Sequence, residues 1–184
     1  MVWEFHRIAG RMKPLVPILF GLFLIGCASR SATVRNAQIA AYGTFEKLNS
    51  TGIRPAPGSL QGKAETVAAA TLVEQTTEIH ASAGKSFGVR VRFIGTPAGG
   101  AVAFTVKCLH PKLTDPESGR SSESDQWENV GLIGDEGYVG YTFEKDWEMV
   151  PGTWTIQIFI GPKLMAEKSF TVTSEARTES PEST

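Results

Sequence analysis

Apolar residues recur at every second position in several stretches of this chain. Phe87, Val89, Val91 and Phe93 alternate with Gly88, Arg90 and Arg92. A period of two sends successive side chains to opposite faces of a pleated strand, one buried and one wet. Val102, Phe104, Val106 and Cys108 repeat the pattern after Gly95-Thr-Pro-Ala-Gly-Gly100, so these two strands read as a hairpin. The parity that turns Val106 inward does the same for Cys108. Trp154, Ile156, Ile158 and Ile160 share one face of a further strand, and Gly161-Pro-Lys163 turns it back into Leu164–Thr173 as a second hairpin.

The remaining chain follows the same logic with weaker patterns. Strands read at Tyr42–Glu46, at Leu72–His80 with Val73 and Ile79 on one face, at Gln126–Val130 around Trp127, and at Tyr138–Phe143. Thr51–Gly62 is broken by Pro55, Pro57 and three glycines and reads as a loop. Pro111–Asp125 is polar and acidic and reads as a long loop, while Glu144–Val150 is a connection carrying Trp147. About seven to nine short strands with turn signals every 8–12 residues and little helix predict an all-β, antiparallel immunoglobulin-like β-sandwich. A small barrel is the alternative.

The N-terminal pattern differs. Arg7, Arg11 and Lys13 precede the uncharged apolar run Leu15–Ile25. That run is the length of a signal-peptide core and falls short of the ~20 residues that span a bilayer. Leu24-Ile25-Gly26-Cys27 resembles a bacterial lipobox. The resemblance implies cleavage between Gly26 and Cys27, a thioether-linked lipid on the Cys27 sulfur, and fatty acylation (palmitate or similar) of the new N-terminus. Several chains on one residue are needed, because a single acyl chain holds a protein only reversibly. Ala28, not Asp, follows the cysteine, which by resemblance directs export to the outer membrane, facing the periplasm. The expected organisation is a signal peptide over 1–26, a tether over 27–41, a sandwich domain over 42–173 and a disordered tail over 174–184.

Charge and cysteine content narrow the partners. The net charge is −1, and becomes −3 once the three basic residues and one acid of the first 26 are removed. No basic patch marks a nucleic-acid partner. With Cys27 acylated, Cys108 has no cysteine to pair with, and an unpaired thiol in an oxidising compartment belongs in the core.

Several segments carry a family resemblance. Leu72-Val-Glu-Gln-Thr-Thr77, Phe87-Gly-Val-Arg90, His110-Pro-Lys-Leu-Thr-Asp-Pro-Glu-Ser-Gly119, Gly137-Tyr-Val-Gly-Tyr-Thr-Phe143, Trp147-Glu-Met-Val-Pro-Gly-Thr-Trp154 and Glu167-Lys-Ser-Phe170 resemble the bacterial family called domain of unknown function 3859. The resemblance spans about Tyr42 to Thr173. It implies a β-sandwich and assigns no activity or catalytic residue.

Candidate chemistry is sparse. Cys108 and His110 share a strand face, which is half a zinc site or a thiol–imidazole pair, but no further ligand motif accompanies them. Glu144, Asp146 and Glu148 form an i, i+2, i+4 acidic run suited to calcium or glycosidase chemistry if they converge, and to a solvated loop if they do not. Trp127 and Trp147 would form a sugar- or protein-binding surface if exposed. No nucleophile elbow, phosphate loop or dinucleotide fingerprint is present. The expected function is a lipid-anchored, non-catalytic protein-interaction or assembly module of the envelope, with no cofactor, metal or nucleic acid. A carbohydrate- or peptidoglycan-binding module is the alternative, and an enzyme using the acidic run comes third.

Overall fold

The computed structural model describes residues 32–174. The signal segment, the Gly26/Cys27 site, the start of the tether and the tail from residue 175 lie outside the described residues. Nine strands run in order: β1 (Thr33–Pro55), β2 (Lys63–Glu74), β3 (Glu78–Ala81), β4 (Ser86–Thr96), β5 (Ala101–Thr114), β6 (Ser121–Leu132), β7 (Glu136–Thr142), β8 (Gly152–Ile160) and β9 (Lys163–Ser174). A single 3-10 turn, Asp146–Glu148, precedes β8. One sheet has the order β2-β1-β4-β7 and the other β3-β9-β8-β5-β6. Pairing is antiparallel except between β3 and β9.

The alternating residues meet between the sheets. Phe87, Val89, Val91 and Phe93 of β4 face Val102, Phe104, Val106 and Cys108 of β5 and Trp154, Ile156 and Ile158 of β8, none more than 4% exposed. Phe87 packs edge-on against Trp154 and Phe170 and stacks on Phe143. The β8–β9 hairpin forms as the sequence predicts.

Five local expectations are corrected. β4 and β5 do not form a hairpin. β4 lies between β1 and β7, β5 lies between β8 and β6, and residues 97–100 carry the chain from one sheet to the other. Alternation fixes which side chains face inward, and that parity is the same for a hairpin and for a crossover. Val73 and Ile79 do not share a face: Val73 is 65% exposed at the end of β2, Ile79 is fully buried in β3, and the break between them changes sheets. The loop expected over 111–125 is the end of β5, a turn at 115–120 and the start of β6. Its serines and acids read as loop but alternate along a paired strand, with Ser121 and Glu123 exposed, Ser122 and Ser124 half-buried and Asp125 buried. The loop expected over 51–62 is strand as far as Pro55. Finally, the tether is strand from Thr33, paired with β4 from Thr33↔Thr96 to Phe45↔Ser86.

β1 changes partner midway. Its first half pairs with β4, and from Thr44 onward it pairs with β2 as a two-stranded arm. Gly43 sits at the switch with φ of 136°, and a Cβ there would lie 1.9 Å from Glu74 O. Only glycine fits that backbone approach. The arm lies over the outer side of β4 and β7: Phe45 packs on Tyr138 at 4.7 Å, and Arg90 donates to Ala70 O at 2.9 Å. Its tip, residues 56–62, reaches the other sheet, where Gln126 N–H donates to Gly58 O at 3.0 Å. The arm thus ties the two sheets together at the edge where β7 and β6 are the last strands.

Candidate functional site

Polar side chains gather beneath the arm tip. Asp125 of β6 is 4% exposed, and its Oδ1 accepts Leu60 N–H at 2.5 Å. Its Oδ2 lies 3.6 Å from His110 Nε2. His110 Nδ1 is 2.8 Å from Pro111 O, a carbonyl that can only accept, so Nδ1 carries a proton. Nε2 has no hydrogen-bond partner within normal reach. Glu148, at the end of the 3-10 turn, is fully buried. Its carboxylate accepts Glu144 N–H at 2.6 Å, Lys145 N–H at 2.9 Å and the Gln61 side-chain amide. Trp154 separates the two halves of the cluster, with its ring centroid 5.0 Å from both His110 and Tyr141.

Burial, together with carboxylates that already accept hydrogen bonds, limits what this cluster can do. A general acid or base must reach a substrate proton within about 3 Å or through one water. A cavity of about 100 Å³ opens beside Asp125, Tyr141, Trp127 and Gln61, but neither His110 nor Glu148 lines it. The Glu148 carboxylate is already taken by three donors. The arrangement is therefore a latch: Gln61 and Leu60 from the arm tip are clamped by one carboxylate from the 3-10 turn and another from β6.

The residues singled out by sequence fall apart in space. Glu148 turns inward, whereas Glu144 and Asp146 are exposed and Glu144 pairs with Lys63 at 3.4 Å, so the acidic run does not converge. Asp135 is exposed, and Glu136 bonds Arg92 at 2.5 Å. Trp127 and Trp147 are half-buried and pack on the core rather than standing out as a stacking pair. Among the described residues no three His, Cys, Asp or Glu side chains come together as metal ligands. Cys108 and His110 do share the inward face, as the strand parity requires.

A second feature is open. A groove of about 530 Å³ runs between Val67–Ala70 of β2 and Asn129–Leu132 of β6, floored by Phe93 and Phe104. Both strands are edges of their sheets. Residues 129–132 of β6 contain no proline or charge and follow a regular register on β5, so this edge carries few of the usual guards against strand addition, although Val130 N–H is held by the Asn129 side chain at 3.0 Å and Arg90, Asp135 and Glu136 also line the groove.

Residues 33–172 match the family described as Domain of unknown function (DUF3859). The chain belongs to this family. The DUF3859 domain is similar to an immunoglobulin-like protein of Pseudomonas aeruginosa, PA1606, with 27% identity, a TM-score of 0.52, and coverage of 77% of this chain and 99% of that one. No curated protein matches the sequence. The immunoglobulin-like sandwich read from the strand pattern is the fold of this DUF3859 domain.

Two ionisable features of the domain give direct tests. Burial, reinforced by the Asp125 charge, pushes the Cys108 thiol well above its ordinary range. The thiolate is the nucleophile, so this cysteine is expected to be inert in the native protein. Iodoacetamide followed by mass spectrometry should leave Cys108 unmodified until denaturant is added. Labelling at the rate of an exposed thiol would contradict its placement.

Tyr138 and Tyr141 are also pushed up. The cause at Tyr138 is burial and then the Glu65 charge; at Tyr141 it is burial and then the charges of Glu148 and Asp125. Tyr138 also donates to Phe87 O at 3.2 Å, and its ring lies over Gly140, where a Cβ would stand 2.2 Å from the hydroxyl. The folded state holds these phenolic protons more tightly than the unfolded chain does. Their contribution is complete below the ordinary tyrosine value of about 10 and is lost as pH rises past it. Absorbance at 295 nm should show both ionising only together with loss of the β signal above about pH 10. The Tyr138→Phe and Tyr141→Phe variants should each remove part of that step. Ionisation of both while the fold persists would be inconsistent with their burial.

Proposed function

We propose that this chain is a non-catalytic interaction module of the bacterial envelope, held at the membrane by lipid on Cys27 and receiving an extended segment of a protein partner between β2 and β6. The groove between these two edge strands carries the reading. Backbone groups along the β6 wall can pair with an added strand, and the groove's apolar floor can take alternate side chains. The latch geometry supports the non-catalytic part, because the buried carboxylates are engaged in holding the arm. The half-buried tryptophans favour a protein partner over a sugar. The lipobox and Ala28 favour an outer-membrane anchor facing the periplasm.

A photo-crosslinker placed at Asn129 in envelope membranes tests this reading. A discrete adduct with one or a few envelope proteins is expected, diminished by Cys27→Ser. Membrane-bound protein that gives no adduct from Asn129, while a control position gives the same background, would argue against the groove as the contact.

A further inference from the structure

The envelope anchor also specifies which end of the sandwich meets the leaflet, an inference that rests on lipidation of Cys27. Cys27 precedes Thr33 by six residue steps, which span at most about 21 Å when fully extended. Thr33 pairs with Thr96 at the end of the molecule that carries the 97–100 turn. The same end holds the 133–135 turn, bonded to it through Gly99 N–H to Ile133 O and Ile133 N–H to Gly100 O. It also holds the 161–162 turn, which follows the β8 segment paired with the first part of β5. The loop at 115–120 lies at the opposite end of the β5–β6 hairpin, about 40 Å away at ~3.3 Å per residue.

Exposed apolar side chains concentrate at the near end. Seven large ones are exposed among the described residues, and four of them, Ile94, Val130, Leu132 and Leu164, lie toward this end. Three of the four continue across one outer sheet face. Val130 and Leu132 pair with Ala103 and Ala101 of β5, and Leu164 pairs with Phe159 of β8. Their parity is opposite to that of the core-facing residues, so they point away from the core. A clustered apolar surface of this kind marks an interaction site, whereas scattered exposed residues do not.

We infer that this end of the sandwich, with its 97–100, 133–135 and 161–162 turns and Leu132 and Leu164 beside them, meets the lipid surface to which Cys27 is anchored, and that the sandwich stands with its 115–120 loop away from the bilayer. The short reach from Cys27 is what selects the lipid surface as the occupant. A partner elsewhere in the envelope would not need the apolar face to sit beside the anchor.

The test uses the full, processed chain reconstituted in phosphatidylethanolamine/phosphatidylglycerol vesicles containing a doxyl-labelled quencher lipid. A fluorophore is placed on Leu132→Cys, on Leu164→Cys or on Ser118→Cys. Flotation reports the anchor, and quenching reports the docking. The expected result is flotation of all three, with strong quenching at 132 and 164 and little at 118. Flotation with equal, weak quenching at all three positions would overturn the docking and leave the anchor intact. Shielding of 132 and 164 by an added envelope protein with no effect of the quencher lipid would likewise overturn it. Failure of the processed chain to float would overturn the anchor and the docking together.

Discussion

Replacing Trp154 by alanine is expected to destabilise the domain by about 3–5 kcal/mol, the usual cost of emptying a fully buried aromatic site. The indole is 0% exposed. Its ring meets Phe87, His110, Tyr141 and Phe143 with centroids 5.0–5.8 Å away, and its N–H donates to Val150 O at 3.1 Å. Loss of these contacts opens the sandwich beside His110 and leaves a carbonyl without its donor. Folding stabilities of ordinary domains are about 5–15 kcal/mol, so a large part of the fold's margin is at stake. Trp154→Phe keeps a ring and should cost less, about 1–3 kcal/mol. Urea denaturation of the three proteins gives the comparison. A midpoint for Trp154→Ala within error of the parent would show that this ring is not central to the core.

Glu148→Ala is the second large effect. A buried donor stripped of its acceptor costs about 1–3 kcal/mol, and this carboxylate serves three. The total is expected to reach about 3 kcal/mol or more, less than a simple sum because the 3-10 turn can relax. The consequence reaches the arm, since Gln61 loses the group that holds it. Hydrogen exchange should therefore show weakened amide protection at Glu144 and Lys145 together with residues 58–62, which lie far apart in sequence. Glu148→Gln retains the shape but presents an amide hydrogen pair to groups that are themselves donors, and it should fall between parent and alanine. Unchanged protection at the arm tip in Glu148→Ala would mean that the latch does not hold the arm.

The contrast between these two residues explains what the sequence could and could not reveal. Trp154 announces itself, because three isoleucines follow it at strand spacing. Glu148 stands among Glu144, Lys145 and Asp146, and nothing in its neighbourhood separates it from a solvated loop. Its burial is decided by Gln61, 87 residues earlier in the chain. Asp125 was legible in principle: it precedes Trp127 by two and shares its inward parity, but the polar serines before it suggest a loop rather than the paired start of β6. The β4–β5 crossover was not legible, because facing strands in two sheets and paired strands in one sheet bury the same alternate positions. The arm was hidden for a related reason. β2 is rich in alanine, whose small side chains give little contrast between its faces, so only the partner switch at Gly43 reveals where it goes.

Together these features separate two uses of polar chemistry. The buried carboxylates hold the fold, while the β2–β6 groove and the apolar end face remain free for contact. The proposed role depends on the chain being tethered six residues before β1 begins. Intact-mass analysis of the mature protein, purified from membranes, tests that most directly. The expected species starts at Cys27 and carries a diacylglyceryl group on its sulfur and an acyl group on its amine. A mature chain starting elsewhere, or bearing an unmodified Cys27 thiol, would contradict it.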